Sequence, residues 1–315
     1  ESSGIDYDAV AYRTGVILVE DPGWPVYPPW ELYGKAQKDE IQRMGLAVSK
    51  ETPNILLSTK VERFFENAST DDPFFTEDDY RSKAIFGDIP YSYNISLSSG
   101  NDLRQVGDPL PPGYGYIRRV VKIKEPSVAV INESISSAYI IDPSDSKWNS
   151  TARNFTVRLD FGHLLDPTIS PAYRIDPRIE PVNVTITNFG DYLNNTYDNA
   201  TLKSVTFQKG EPDSSPVTLR WLSYSEEEPD LYTLHLDEVS HSLTPNEPVN
   251  ASISLVIKPA FMSFMGPKSI LDIGFNFEEA EGEPPHTNIT GTHPYDYVNV
   301  TRPDLKTAVL EVAIW

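Results

Sequence analysis

The stretch Asn154-Phe155-Thr156-Val157-Arg158-Leu159-Asp160-Phe161 alternates polar and apolar residues without a break. A period of two places Phe155, Val157, Leu159 and Phe161 on one face of an extended chain, which reads as a half-buried β-strand. The same alternation recurs in Tyr91, Tyr93, Ile95 and Leu97 against Ser92, Asn94 and Ser96. Further strands are expected at 117–124, 127–132, 137–141, 182–188, 202–208, 216–222, 231–237, 250–257, 270–277, 296–301 and 307–314, separated by Pro, Gly, Asn and Asp clusters. The expected fold is therefore mainly β: an antiparallel β-sandwich, Ig-like, forming one sandwich or two.

The opening stretch also begins with an Asn-x-Ser/Thr triplet, Asn154-Phe155-Thr156, and such triplets bear on location. Eleven of the seventeen asparagines head such a triplet: Asn67, Asn94, Asn132, Asn149, Asn154, Asn183, Asn194, Asn199, Asn250, Asn288 and Asn299. Chance in this composition would give roughly three, so the excess points to N-glycan acceptors on an extracellular protein. Asn94, Asn154, Asn183, Asn250 and Asn299 also fall on the polar phase of their strands, where a glycan is expected to reach solvent.

Cysteine is absent. Exported animal and fungal domains usually carry disulfides, so dense acceptor triplets without cysteine fit an archaeal cell surface better. The net charge of −20 leaves no basic footprint for nucleic acid, with Arg118-Arg119 and nearby Lys122 and Lys124 the only local cluster. No stretch approaches the roughly 20 apolar residues of a membrane span. Contact with a membrane is expected only through a segment upstream of Glu1, removed by processing or by design.

Residues 1–88 are read as a helical segment packed against the β region, 89–315, whose seam, if it has two parts, is expected near 150–180. Ile5, Ala9, Tyr12, Val16 and Val19 recur at helical spacing, and Asp21-Pro22-Gly23 stops the helix. A second helix is expected over 39–48, with Ile41, Met44 and Val48 inward. A third starts near Thr59, with Thr59 and Glu62 as a capping box over Val61, Phe64 and Phe65. A fourth starts at Thr76.

Two readings compete for the acids around that fourth helix. Asp71, Asp72, Asp78 and Asp79 could offer oxygens to calcium, or Thr76 could cap a helix whose first turn, Glu77-Asp78-Asp79, complements the dipole. The loop Trp24-Pro25-Val26-Tyr27-Pro28-Pro29-Trp30-Glu31-Leu32-Tyr33 is either a lid over the protein's own core or an aromatic platform for sugar or a partner. The apolar turn 259–267, with Phe261, Met262, Phe264 and Met265, either plugs one end of the β region or forms a contact surface. The last strand, 308–315, is apolar on nearly both phases and is expected to be covered on both faces, by the N-terminal helix among others.

Enzyme motifs are missing: there is no thiol, no H-E-x-x-H among the five histidines, no Gly-x-Ser-x-Gly and no phosphate-binding glycine loop. No catalytic residue is assigned, and the chain is expected not to be an enzyme.

The segment 11–23, Ala-Tyr-Arg-Thr-Gly-Val-Ile-Leu-Val-Glu-Asp-Pro-Gly, resembles the stretch following the hydrophobic helix of type IV pilin-like surface proteins of methanogenic and related euryarchaea. Met44-Gly45-Leu46-Ala47, Pro53-Asn54-Ile55-Leu56, Phe155 to Asp160 and the ending Ala308 to Trp315 are similar in kind. The resemblance implies a membrane-inserted helix leading into an extracellular, glycosylated β-domain. The expected function is a structural subunit of an archaeal surface filament or envelope, acting by self-association or by contact with other surface proteins. Contact candidates are Tyr12, Val16 and Val19 on the helix, Trp24, Tyr27, Trp30 and Tyr33 in the loop, and Phe261, Met262, Phe264 and Met265. The alternative is an adhesin that binds glycans through the loop 24–33.

Overall fold

The computed structural model describes residues 6–66, 71–87, 90–131, 140–141, 154–187, 201–218, 227–278, 288–297, 300–301 and 305–315. Its strands in chain order are β1 (Ile55–Leu57), β2 (Tyr93–Ser99), β3 (Asp102–Gly107), β4 (Gly115–Lys124), β5 (Val128–Ile131), β6 (Ile140–Ile141), β7 (Asn154–Asp160), β8 (Val182–Thr187), β9 (Thr201–Gly210) and β10 (Val217–Thr218). They continue with β11 (Tyr232–Leu236), β12 (Val239–His241), β13 (Glu247–Pro248), β14 (Ser252–Ile257), β15 (Ile270–Phe277), β16 (Asn288–Ile289), β17 (Thr292–Pro294), β18 (Val300–Thr301) and β19 (Lys306–Ile314). The helices named below are α1 (Tyr7–Glu20), α2 (Ser58–Phe64) and α3 (Glu77–Tyr80).

The chain divides into two compact units: unit 1 is Glu1–Pro126, Pro171–Tyr173 and Pro303–Trp315, and unit 2 is Ser127–Ser170 with Arg174–Arg302. This replaces the expected boundary at 88. The helical segment does not stand apart, because β2, β3, β4 and β19 share its core, and unit 2 is inserted between β4 and β19 of unit 1.

In unit 1 the sheet order is β1-β4-β19-β2-β3, with β1 parallel to β4 and the other pairs antiparallel. α1 lies against β4 and β19. Asp6 caps it by accepting from the Ala9 N–H at 3.0 Å. The helix is where the periodicity puts it, but its buried stripe is Val10, Ala11, Thr14, Gly15, Leu18 and Val19. Ala9 and Tyr12 are exposed and Val16 is half-buried. Val19 is buried as expected, but the rest of the stripe is rotated: Ala11, Thr14 and Gly15 face the sheet along with Val10 and Leu18. A Cβ on Gly15 would come within 3.1 Å of the Ile117 side chain, so small residues set how closely helix and sheet approach. The terminal strand β19 buries Ala308, Leu310, Val312 and Ile314 on one face; on the other Ala313 is buried but Val309 and Glu311 stay half-buried, so the expected cover on both faces is met only at the end of the strand.

The expected helix at 39–48 does not form; a 3-10 helix ends at Glu40 and the chain then runs extended. Its amides bond to other segments instead: Met44 N–H to Lys83 O at 2.9 Å, Leu46 N–H to Leu18 O at 2.9 Å and Ala47 N–H to Asp21 O at 3.2 Å. Met44, Gly45, Leu46, Ala47 and Val48 are all buried, which no amphipathic helix could achieve. α2 buries Val61 and Phe64, with Phe65 just beyond it, but starts at Ser58 after Leu57 and has no side-chain cap, so the Thr59 capping box is not made. α3 starts as expected: the Thr76 side chain accepts from Asp79 N–H, and the Asp79 side chain accepts from Thr76 N–H at 2.8 Å.

Unit 2 is built from two main sheets, β10-β9-β15-β7-β17 with β13 on β9, and β12-β11-β14-β8-β5-β18. Both sheets send their apolar phase into one cluster, including Phe155, Val157, Phe207 and Phe275 from the first and Val184, Leu234 and Leu255 from the second. The sheets are mixed, which corrects the all-antiparallel expectation: β5 runs parallel to β8 and β17 parallel to β7. Period-two alternation fixes which face each side chain takes but not the direction of the neighbouring strand.

Candidate contact surfaces and glycan acceptors

The aromatic loop divides into an inner and an outer half. The Trp24 backbone pairs with Arg43, holding the start of the loop against the extended segment. The Trp24–Pro25 and Tyr27–Pro28 bonds are cis. Beyond them the chain turns into a 3-10 helix, Trp30–Leu32, that drives Trp30 inward. Trp30 is fully buried, and its indole N–H lies 2.9 Å from Gly45 O and 3.1 Å from Pro22 O. Glu31 beside it is also buried and accepts from Lys60 Nζ at 2.8 Å, while that ammonium lies 5.6 Å from the Trp30 ring centre. Arg63 Nε donates to Glu31 O at 2.9 Å.

Trp30 is thus the anchor of a lid, and a platform of all four rings is not formed. Trp24 and Tyr27 remain 45% and 50% exposed and Tyr33 is half-buried. Burial, and secondarily Glu40, push the Tyr33 phenol above its usual pKa. Of the helix candidates, Tyr12 is exposed while Val19 is fully buried. The turn 259–267 divides the same way: Phe261, Met262 and Met265 belong to the core of unit 2, and Phe264 is exposed. Trp30, Val19, Phe261, Met262 and Met265 therefore leave the set of contact candidates.

The acidic run is matched to the chain's own cations. Lys35 Nζ lies 2.6 Å from Asp72, and Lys38 Nζ lies 2.7 Å from Asp79 and 3.3 Å from Phe74 O. Burial pushes the Asp79 carboxyl up, but Lys38 and the Thr76 N–H outweigh it and hold it below the usual range. Asp78 faces Arg81 at 3.5 Å. Among the described residues no three His, Cys, Asp or Glu side chains come together to hold a metal, so the calcium reading of Asp71, Asp72, Asp78 and Asp79 is replaced by helix capping and ion pairing.

Five acceptor asparagines lie in described segments. Asn250 is exposed, and its backbone is clasped from below: Asp237 accepts from the N–H groups of Asn250, Ala251 and Ser252 at 2.7–2.8 Å. Asp237 and Glu238 both have positive φ, 49° and 71°, in the tight turn joining β11 to β12. Burial raises the Asp237 pKa, but the three backbone donors more than offset it, leaving the carboxyl below its ordinary value.

A depressed native pKa contributes stability above the unfolded value, near pH 4, that is lost as the pH falls through the native value. Asp237→Asn should therefore cost about 1 kcal/mol at neutral pH, modest because the carboxylate is partly solvated. The gap from the parent in thermal melts should close progressively below about pH 4. A gap unchanged down to pH 2 would assign the cost to turn geometry instead.

Asn154 is exposed, with its Nδ2 donating to Asn276 Oδ1, and Asn183 is half-buried with its Oδ1 enclosed. Asn94 departs from expectation. It lies on the face opposite Tyr93 and Ile95, yet is only 7% exposed, because the chain after β3 folds over it and its Nδ2 donates to Asp108 O at 2.9 Å. That turn needs Gly107, at φ 100°, where a Cβ would meet Tyr93 O at 2.1 Å. Asn94 lines a cavity of about 570 Å³ with Phe75, Glu77, Tyr93 and Gln105. Asn288 lies on β16, and Asn67, Asn132, Asn149, Asn194, Asn199 and Asn299 lie outside the described residues.

The alternation did not single out one surface. On the face of the unit 1 sheet away from α1, Val120 is 63% and Leu103 59% exposed, with Tyr116 and Arg118 beside Val120. The only sequence signal for it was the basic cluster at 118–124 in an otherwise acidic chain. No described helix is long and apolar enough to cross a membrane. Compared with known proteins, the chain matches no family model, no curated protein and no solved structure.

Proposed function

We propose that this protein is a structural, N-glycosylated subunit of an archaeal surface filament or envelope, pilin-like in plan, and that it works through subunit contacts rather than catalysis. The observation that carries the reading is α1 laid by a small-residue stripe along a sheet with β19 at its centre. It supports the reading because the resemblance in residues 11–23 and 308–315 implies a helix leading into a β-domain. Acceptor triplets and the absence of cysteine suit the outside of an archaeal cell. In this reading unit 2 is a β-sandwich that carries most of the acceptor triplets.

Electron microscopy of native surface material, with intact-mass analysis of the same preparation, tests it. Ordered filaments or sheets containing the chain with glycans attached are expected. A dispersed monomer would overturn the reading and favour the adhesin, whose platform would then be Trp24 and Tyr27. In that case Trp24→Ala should remove a glycan-array signal without moving the melting temperature.

A further inference from the structure

One face of the unit 1 sheet is covered by α1; the other is covered at Asn94 and Ala313 and open around Val120 and Leu103. Register places Val120, Val309, Ser98 and Leu103 in one row across that open face, and Arg118, Glu311, Ser96 and Gln105 in the next. Val120 and Leu103 are more than half exposed. With the half-buried Val309 between them in the row, they leave apolar surface open to water on this face.

Charge says what kind of surface would cover it. The chain carries a net −20, yet Arg118 and Lys122 both project from this face, and the one acid in the Arg118 row, Glu311, already accepts from Tyr116 Oη at 2.7 Å. Arg118 is left 60% exposed with Glu311 at 3.6 Å. In the same unit, Glu77 and Asp78 share one cation, Arg81 at 3.6 and 3.5 Å, and keep side chains 62% and 96% exposed. One surface of the molecule is thus complementary to another.

The acceptor triplets point the same way. Nine of the eleven, from Asn132 to Asn299, fall in unit 2, and Asn94 in unit 1 is folded under Asp108 with its amide engaged. Among the described residues of unit 1, no acceptor side chain stands free to place a glycan over the open face.

We propose that the open face of the unit 1 sheet is the docking surface for a second copy of this chain. The incoming copy presents the acidic stretch around Glu77 and Asp78 to Arg118 and Lys122, while Val120 and Leu103 lose water. Because donor and acceptor are different patches, the contact can repeat from copy to copy. The inference rests on the subunit reading and names the contact that reading requires.

The test is sedimentation of the full chain at low and at physiological salt. Self-association that weakens with salt is expected. Arg118→Glu with Lys122→Glu should weaken it at least about tenfold, and adding Glu77→Lys with Asp78→Lys to that chain should restore it. Val120→Asp, at an exposed position that should leave the melting temperature unchanged, should weaken it similarly. A parent that stays monomeric throughout, an Arg118→Glu with Lys122→Glu chain that associates as the parent does, or a fourfold-reversed chain that stays as weak as that pair would overturn the docking surface. Native filaments containing the chain alongside such a result would leave the subunit reading standing; a dispersed native monomer would remove both.

Discussion

Lys60→Met is expected to destabilise unit 1 by about 3–5 kcal/mol, because it leaves the Glu31 carboxylate buried without its cation. Lys60 and Glu31 are 2% and 3% exposed at their side chains and 2.8 Å apart. Removing one charge strands the other, whereas removing both does not. The double change Lys60→Met with Glu31→Met should recover most of the loss and could exceed the parent, since a packed apolar pair avoids desolvating two ions. Thermal and urea melts of the two single variants and the double variant decide it. Single variants that melt with the parent would mean that water reaches the pair and that it does not hold the lid.

Trp30→Ala should cost about 3–5 kcal/mol, the range for deleting a fully buried large aromatic side chain. The void would open beside Phe75, whose ring centre is 6.1 Å away, and two carbonyls, Pro22 O and Gly45 O, would lose the indole donor. Trp24→Ala and Tyr27→Ala, at positions 45% and 50% exposed, should stay within about 0.5 kcal/mol. Urea melts of the three variants test the contrast. Equal effects at Trp24 and Trp30 would refute the division of the loop into an inner and an outer half.

That division also shows how far the residues could be read. A run of prolines and aromatic rings announces a stiff loop, and its choice between lid and platform depends on what lies beneath. Here the decision is made by Gly45, where a Cβ would come within 2.0 Å of Asp21 O, so the extended segment and the helix end close up and leave a slot for one indole. α1 and its packing on β19 were legible, but the helix's rotation was not, because apolar size and closest approach select different residues on it. Strand positions in unit 2 were legible from alternation, and their parallel pairings were not. Asn94 was assigned correctly to the face opposite the core and still ended covered, since a turn 13 to 16 residues later in the chain folds back over it. The open face of the unit 1 sheet went unread because Arg118, Val120 and Lys122 count simply as the polar phase of a strand until the register across β4, β19, β2 and β3 sets them side by side.

The position of β19 has a consequence for the order in which the molecule can be made. β19 sits between β4 and β2, so until the ribosome has passed through all of unit 2 and reached Lys306, those two strands have no partner to join them. Unit 1 must wait, with strand edges open, while unit 2 can already close on its own core. The first 126 residues therefore close their sheet only when the nine-residue strand β19 enters the gap between β4 and β2.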